Sequence, residues 1–249
     1  MIKFGFYLAL ASLILACGED TASTKVQSSD NEKPLLNSRL KADSSGIPIS
    51  SFQLYLNDFH FFSGNRASQQ ETHHYCSQLS EDVTQCVIFD GNARNAKLTG
   101  VEYIISERLF KTLPEDEKKL WHSYRYLVKG GLLVAPNLSD EQEHDLMGRL
   151  VSAYGKTWQT WQNGSNSKLP LGGPALLMSF TRDGQLDPDL LKNRDKRLHI
   201  ESAEKRQLRS DILGRASITG ADSWENGPAI QLPALVKRNQ PDLQKDTLR

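Results

Sequence analysis

The sequence predicts an α+β fold, a single domain with a mainly antiparallel β-sheet and packed helices. Three observations carry that prediction. Short β-branched and aromatic runs, "THHYCSQL", "TQCVIFD" and "AKLTGVEYIIS", are set apart by turn residues, as strands in hairpins are. "SDEQEHDLMGRLV" places Ser139 three residues ahead of Gln142, a capping-box pattern, and follows it with apolar residues at helical spacing. Strands and helices also fall in separate runs rather than alternating, which favours an antiparallel sheet.

The chain opens on "MIKFGFYLALASLILACGED". One lysine precedes an apolar run from Phe4 to Ala16, too short for a transmembrane helix of roughly 20 residues but suited to a signal-peptide core. Its end, Ile14-Leu15-Ala16-Cys17, resembles the bacterial lipobox, so residues 1–16 are expected to be a lipoprotein signal peptide and Cys17 the acylated residue. Two or three acyl chains would hold the protein on a membrane where one holds only marginally. Gly18 rather than Asp follows the cysteine, which points to the outer membrane facing the periplasm of a bacterial envelope. Residues 17–48 are rich in Ser, Asp, Asn and Lys and read as a disordered tether.

Residues 49–200 form the expected globular domain. "SSFQLYLNDFHFF" sets Phe52, Leu56, Phe59 and Phe62 at helical spacing and predicts a first helix. Two strands joined by the polar turn "SED" follow, then the strand "AKLTGVEYIIS". "LPEDEKKLWHS" predicts a helix, with Pro114 near its start and three acids in its first turn. "YRYLVKGGLLVAP" reads as a strand pair or one strand bent at Gly130-Gly131. The capped helix from Ser139 is expected to run on through Leu146, Leu150, Val151, Tyr154 and Trp158 as one apolar face. "GGPALLMSF" predicts a buried strand and "DPDLLKNRDKRL" a short charged helix. Residues 201–249 are a polar C-terminal extension, expected to dock in part through Trp224.

Lysine plus arginine equals aspartate plus glutamate, 30 each, so the chain has no net field to gather nucleic acid. It contains no Gly-rich phosphate loop, no G-x-S-x-G, no H-E-x-x-H and no C-x-x-C. Its chemistry must come from residues distant in sequence. Glu102 sits mid-strand in "GVEYI", where a carboxylate is costly to bury without a partner. His60, one of His73 and His74, and His122 could converge on it as an acid–base site or as ligands of a divalent metal such as zinc, with no cofactor assigned. Strand alternation puts His73 and His74 on opposite faces, so at most one points inward. The plainer alternative is a buried Glu102–His122 hydrogen bond with the other histidines at the sheet edge. Trp121, Trp158 and Trp161 read as core and rim, and Lys156 as a lone helix-end cation. In a hairpin symmetric about Glu81, Cys76 opposes Cys86, with Cα atoms about 4.5 Å apart and within disulfide reach. An oxidising envelope would permit that bridge.

The blocks "FHFFSG", "ETHHYCSQLSEDVTQCVIFDG", "LTGVEYIISERLF", "LPEDEKKLWHS", "YGKTW" and "LPLGGPALLMSFTRDGQL" occur in this order. Together they resemble the oil-body-associated protein family, a domain of unknown function, over roughly residues 50–200. The resemblance implies a shared fold and a link to lipid surfaces, and it implies no reaction. Where the family reads W-H-[ST]-H and then E-V-K-S-G, this chain has "WHSYRYLVKGG". Tyr124 and Leu127 replace the second histidine and the acid, while Trp121, His122 and Lys129 match. Intracellular plant members carry the same two cysteine positions, so paired thiols remain the alternative to a bridge.

The resulting expectation is a membrane-anchored envelope lipoprotein that binds or organises lipid or another apolar partner. The rival is a metal-dependent or acid–base enzyme using the His/Glu residues. A purely structural lipoprotein with a protein partner is the third reading.

Overall fold

The computed structural model describes residues 48–161 and 169–232. The expected signal peptide, Cys17, the expected tether up to residue 47 and the chain beyond residue 232 lie outside the described residues. Four antiparallel strands come first: Leu54–Phe62 (β1), Asn65–Gln78 (β2), Val83–Phe89 (β3) and Leu98–Ile105 (β4). Helices Glu107–Thr112 (α1) and Glu115–Lys118 (α2), the two-residue strand His122–Ser123 (β5) and helix Arg125–Lys129 (α3) follow. Helix Asp140–Leu150 (α4) then leads to strands Tyr154–Gln159 (β6) and Ala175–Met178 (β7). Helices Pro188–Leu198 (α5) and Ser202–Leu208 (α6) and strand Thr219–Asp222 (β8) complete the order.

Strand β6 decides the architecture. It pairs with β4 along one edge and with β7 and β5 along the other, while β7 reaches back to β1. The ring β1-β2-β3-β4-β6-β7 therefore closes into a six-stranded antiparallel barrel. This corrects the expected α+β sheet with packed helices. Two barrel strands carry a misleading helical pattern. Phe52, Leu56, Phe59 and Phe62 are spaced as on a helix, yet residues 54–62 are β1. Leu150, Tyr154 and Trp158 continue the α4 spacing, yet the helix ends at Leu150 and Tyr154 opens β6. Without those two strands the remaining sheet cannot close, so the sequence pattern leads to an open one.

The segment "YRYLVKGG" differs as well. It forms α3 rather than a strand, and Gly131 follows it in the left-handed region at φ 74°, a conformation that favours glycine. The Ser139–Gln142 capping box of α4 is present in full.

Both faces of β1 are buried, which is why it lacks a clean alternation of polar and apolar residues. Its outward Phe59 and Phe61 lie under a layer that includes Leu127, Leu133, Met147, Val151 and Phe180. Phe61 also packs edge-on against Trp224, ring centroids 4.9 Å apart. Two buried arginines pin the C-terminal helices over this layer. Arg194 bonds Asn57 Oδ1, the Leu132 carbonyl and Ser202 Oγ, and Arg209 bonds the Val128 and Leu133 carbonyls. Lys129 adds bonds to the carbonyls of Arg209, Ser210 and Ile212.

Candidate metal centre

The inward face of the barrel is polar where a small barrel would ordinarily pack aliphatic side chains. Alternation from His60 brings Asp58 and Leu56 to the same face of β1. Thr72 and His74 come from β2, Glu102 from β4 and Thr157 from β6. His122 enters from β5, which flanks the start of β6 on the edge opposite β4. Asp58, His60, Glu102 and His122 are fully buried and His74 is 1% exposed.

These five side chains separate into two groups by distance. The first is at hydrogen-bond spacing. His74 Nε2 lies 2.9 Å from Asp58 Oδ1, and His74 Nδ1 lies 2.9 Å from Glu102 Oε2 without the alignment of a hydrogen bond. Burial opposes charge on His74, but Asp58 and Glu102 on either side outweigh it and push its pKa up to about 10. Burial likewise works to raise both carboxylates. His60 and His74 hold Asp58 well below the usual range, and His74 and His122 do the same for Glu102. Asp58, imidazolium His74 and Glu102 form a buried chain of alternating charge.

The second group is spaced more widely. His60 Nε2 and His122 Nε2 are 3.4 Å apart, and His122 Nε2 is 3.4 Å from Glu102 Oε1. Donor atoms of His60, Glu102 and His122 all fall within 4.8 Å of one another. Four ligands at about 2.0–2.1 Å from a tetrahedral zinc ion are separated by about 3.3–3.4 Å. Both separations match that edge, and the His122–Glu102 one exceeds the 2.7–3.2 Å range typical of N–H···O bonds. The neighbouring hydrogen bonds orient His60 for this role. The Thr72 hydroxyl donates its one proton to Asp58 Oδ1 in a short contact. It can therefore only accept from His60 Nδ1, 3.0 Å away, which turns Nε2 toward His122. A ligating histidine is commonly fixed in this way through its second nitrogen.

Gly155 makes room for the group. A Cβ there would stand 2.2 Å from Glu102 Oε1, 2.7 Å from His122 Nε2 and 2.8 Å from Tyr124 Cε2. Tyr124 stacks on His122 with ring centroids 5.7 Å apart. Burial, then the charges of Glu102 and Asp58, hold its hydroxyl well above the ordinary tyrosine range, so it stays protonated. Glu102 Oε1, His122 Nδ1 and Tyr124 Oη are buried without a hydrogen-bond partner among the described residues.

His73 stands outside this group. It faces the other side of β2, where Tyr55 Oη lies 2.8 Å from its Nδ1 and Glu71 Oε1 lies 3.3 Å from its Nε2. Lys156 is engaged with Glu117 at 2.5 Å and sits over the buried Trp121 ring. Trp158 and Trp161 are half-buried. Cys76 and Cys86 are joined by a disulfide, directly opposed in the β2–β3 register. Sequence reasoning missed Asp58, Thr72, Tyr124 and Gly155 as parts of the site. The D-x-H spacing of Asp58 and His60 becomes a signal only once residues 54–62 are read as a strand.

The family described as "Protein of unknown function (DUF1264)" matches residues 47–213. Oil body-associated protein 1B of Arabidopsis thaliana is 38% identical over 180 residues, covering 72% of this chain and 75% of its own. Oil body-associated protein 1A of Zea mays is 41% identical over 167 residues, covering 67% and 70%, and 2A of Zea mays is 35% identical over 202, covering 78% and 80%. No solved structure gives a significant match. The matched span contains β1 to β7, hence all five of the inward-facing acids and histidines described above, and on that extent of likeness the chain belongs to the DUF1264 family, together with the oil-body-associated proteins.

Proposed function

We propose that this chain is a lipid-surface protein, held to a bacterial envelope membrane by acylated Cys17, whose barrel is locked by one divalent metal ion of the zinc class. The ligands are His60, Glu102 and His122. The observation that carries the metal reading is the pair of 3.4 Å separations among their donor atoms. Charge supports it. Asp58 and Glu102 are both held ionised in a buried site, with His74 as the cation between them. A divalent ion bound at Glu102 would add positive charge beside these carboxylates and lower the cost of burying them. Full burial of the ligands favours a structural ion over one that turns over substrate in contact with water.

The lipid-surface part is supported by the names of the relatives and by the apolar run ending at Cys17. Two measurements test the whole reading. Elemental analysis of full-length chain purified without chelator is expected to give one equivalent of metal, lost in Glu102→Gln. Flotation with liposomes is expected for acylated chain and not for Cys17→Ser. Protein that is metal-free after zinc addition sinks the metal reading, and Cys17→Ser that floats like wild type sinks the anchor.

A further inference from the structure

We propose that the mouth of the barrel beneath α4 binds one single-chain lipid with an uncharged polar head, the class of a monoacylglycerol or long-chain alcohol. The cavity there has a volume of about 590 Å³, within the roughly 300–1,000 Å³ of small-molecule sites, and barrel mouths are a recurrent place for such sites.

Its depth is apolar. Leu54, Leu56 and Ile104 face it from the strands, and Leu146 and Leu150 from α4 above. The roof is tied along its flank. Beside Leu150 on α4, Glu143 accepts from Ala135 N at 2.8 Å and from Lys205 Nζ at 2.6 Å, and lies 3.3 Å from Arg209. The floor borders the metal centre. Cys76 lines the cavity, and its disulfide partner Cys86 has Sγ within 4.8 Å of donor atoms of His74 and Glu102. An aliphatic tail would thus end against the disulfide and stay clear of the charges behind it.

The rim selects the head. Of its acids, Asp82 is already taken by Arg108 and by Ser106 Oγ at 2.5 Å. Glu81 and Asp145 remain against a single cation, Arg149, and all three are exposed. The sum of these three charges repels a carboxylate or phosphate head, while Gln53 and Gln78, whose amide nitrogens bond the Ser50 and Ser80 carbonyls, keep side-chain oxygens that can accept from hydroxyls.

This inference rests on the lipid-surface reading for the identity of its occupant, and the two can fail separately. The test uses full-length Cys17→Ser chain, freed of co-purified lipid, with monoolein and oleate titrated below their aggregation limits and followed by native mass spectrometry. One monoolein per chain is expected, bound at least tenfold tighter than oleate. Leu146→Trp, which fills the mouth from a half-buried position, is expected to weaken monoolein at least tenfold while circular dichroism and metal content stay at wild-type values. No bound monoolein, equal binding of oleate, or undiminished binding by Leu146→Trp would overturn the proposal. Acylated chain that floats with liposomes while Cys17→Ser binds no monoolein would leave the surface reading standing and the cavity reading refuted.

Discussion

His60 and His122, 62 residues apart in sequence, face each other inside the barrel with Nε2 atoms 3.4 Å apart. Thr72 and Asp58 fix the first ring from behind, and Tyr124 stacks on the second. If a metal ion joins them, removing either imidazole removes a ligand outright. Loss of a supporting group alone commonly costs about 10–100-fold in metal affinity, so His122→Ala is expected to cost more than 100-fold. His73→Ala, on the outer face beside Tyr55, is expected to leave affinity unchanged. Competition against a chromophoric chelator measures both.

Gly155 gives a sharper steric test. The Cβ of Gly155→Ala would overlap Glu102, His122 and Tyr124 at once, at 2.2 to 2.8 Å. Overpacking of a tight interior typically costs about 1–3 kcal/mol. The variant is therefore expected to lose that much stability in urea unfolding and to bind metal at least tenfold more weakly. Gly148→Ala, where an added Cβ meets nothing within 4 Å, is the matched control and is expected to be neutral or slightly stabilising.

His74 lies between two buried carboxylates, 2.9 Å from each. His74→Leu would leave Asp58 and Glu102 facing each other without their shared cation. Breaking a buried ion pair from one side costs about 3–5 kcal/mol, and that loss is expected in chelator-treated protein. Adding Asp58→Asn and Glu102→Gln to the same chain is expected to recover much of it, because no uncompensated charge then remains. Equal instability of the single and triple variants would argue that His74 acts through packing alone.

The site was more legible in the sequence than the barrel that holds it. His60, one of His73 and His74, Glu102 and His122 stand out because their chemistry is costly at buried positions, whatever element carries them. Likewise the β2–β3 hairpin could be placed to the residue, Cys76 opposite Cys86, because its turn is short and polar. Strand β1 hid because both its faces are covered: Asp58 and His60 point into a polar lumen, while Phe59 and Phe61 point into the helical layer. A pattern rule that equates inward with apolar cannot read such a strand. β6 hid for another reason, since Tyr154 and Trp158 extend the α4 spacing of Leu146 and Leu150 by coincidence. Asp58 escaped notice along with β1, because Asp58 and His60 share a face only in a strand.

The disulfide ties β2 to β3 across a ten-residue separation in sequence. Loop-closure entropy for such a loop amounts to about 3 kcal/mol. The double variant Cys76→Ser, Cys86→Ser is expected to lose about that much in denaturant, and wild-type protein with a thiol reductant should match it. Stability that does not respond to reductant in wild type would show that the bridge contributes nothing.

Asp222 supplies the pH dependence. It is buried in the left-handed region at φ 53°, and its carboxylate accepts from Ser123 N at 3.0 Å and Ser123 Oγ at 2.7 Å. Burial pushes its pKa up, opposed by the two Ser123 bonds and the nearby His122 and reinforced by Glu225, to about 6 from an ordinary 3.8. Lys118 of α2, which packs on β8, and Lys119 just after it are occupied by Glu115 and Asp116. Between pH 4 and 6 the native state thus holds a proton that the unfolded chain has released. By linkage, this contribution to stability is fully present below about pH 4 and lost as pH rises through about 6, on the order of 2–3 kcal/mol. Asp222→Asn can keep an oxygen toward Ser123 N and donate to its hydroxyl, and it does not titrate. Subtracting its stability curve from that of wild type removes the opposite slope that the depressed Asp58 and Glu102 contribute at acid pH. The difference is expected to fall by on the order of 2 kcal/mol from pH 4 to 6.5 and stay level above, measured by urea unfolding at fixed ionic strength. A flat difference across that window would place the Asp222 carboxyl at its ordinary value and remove it as the source.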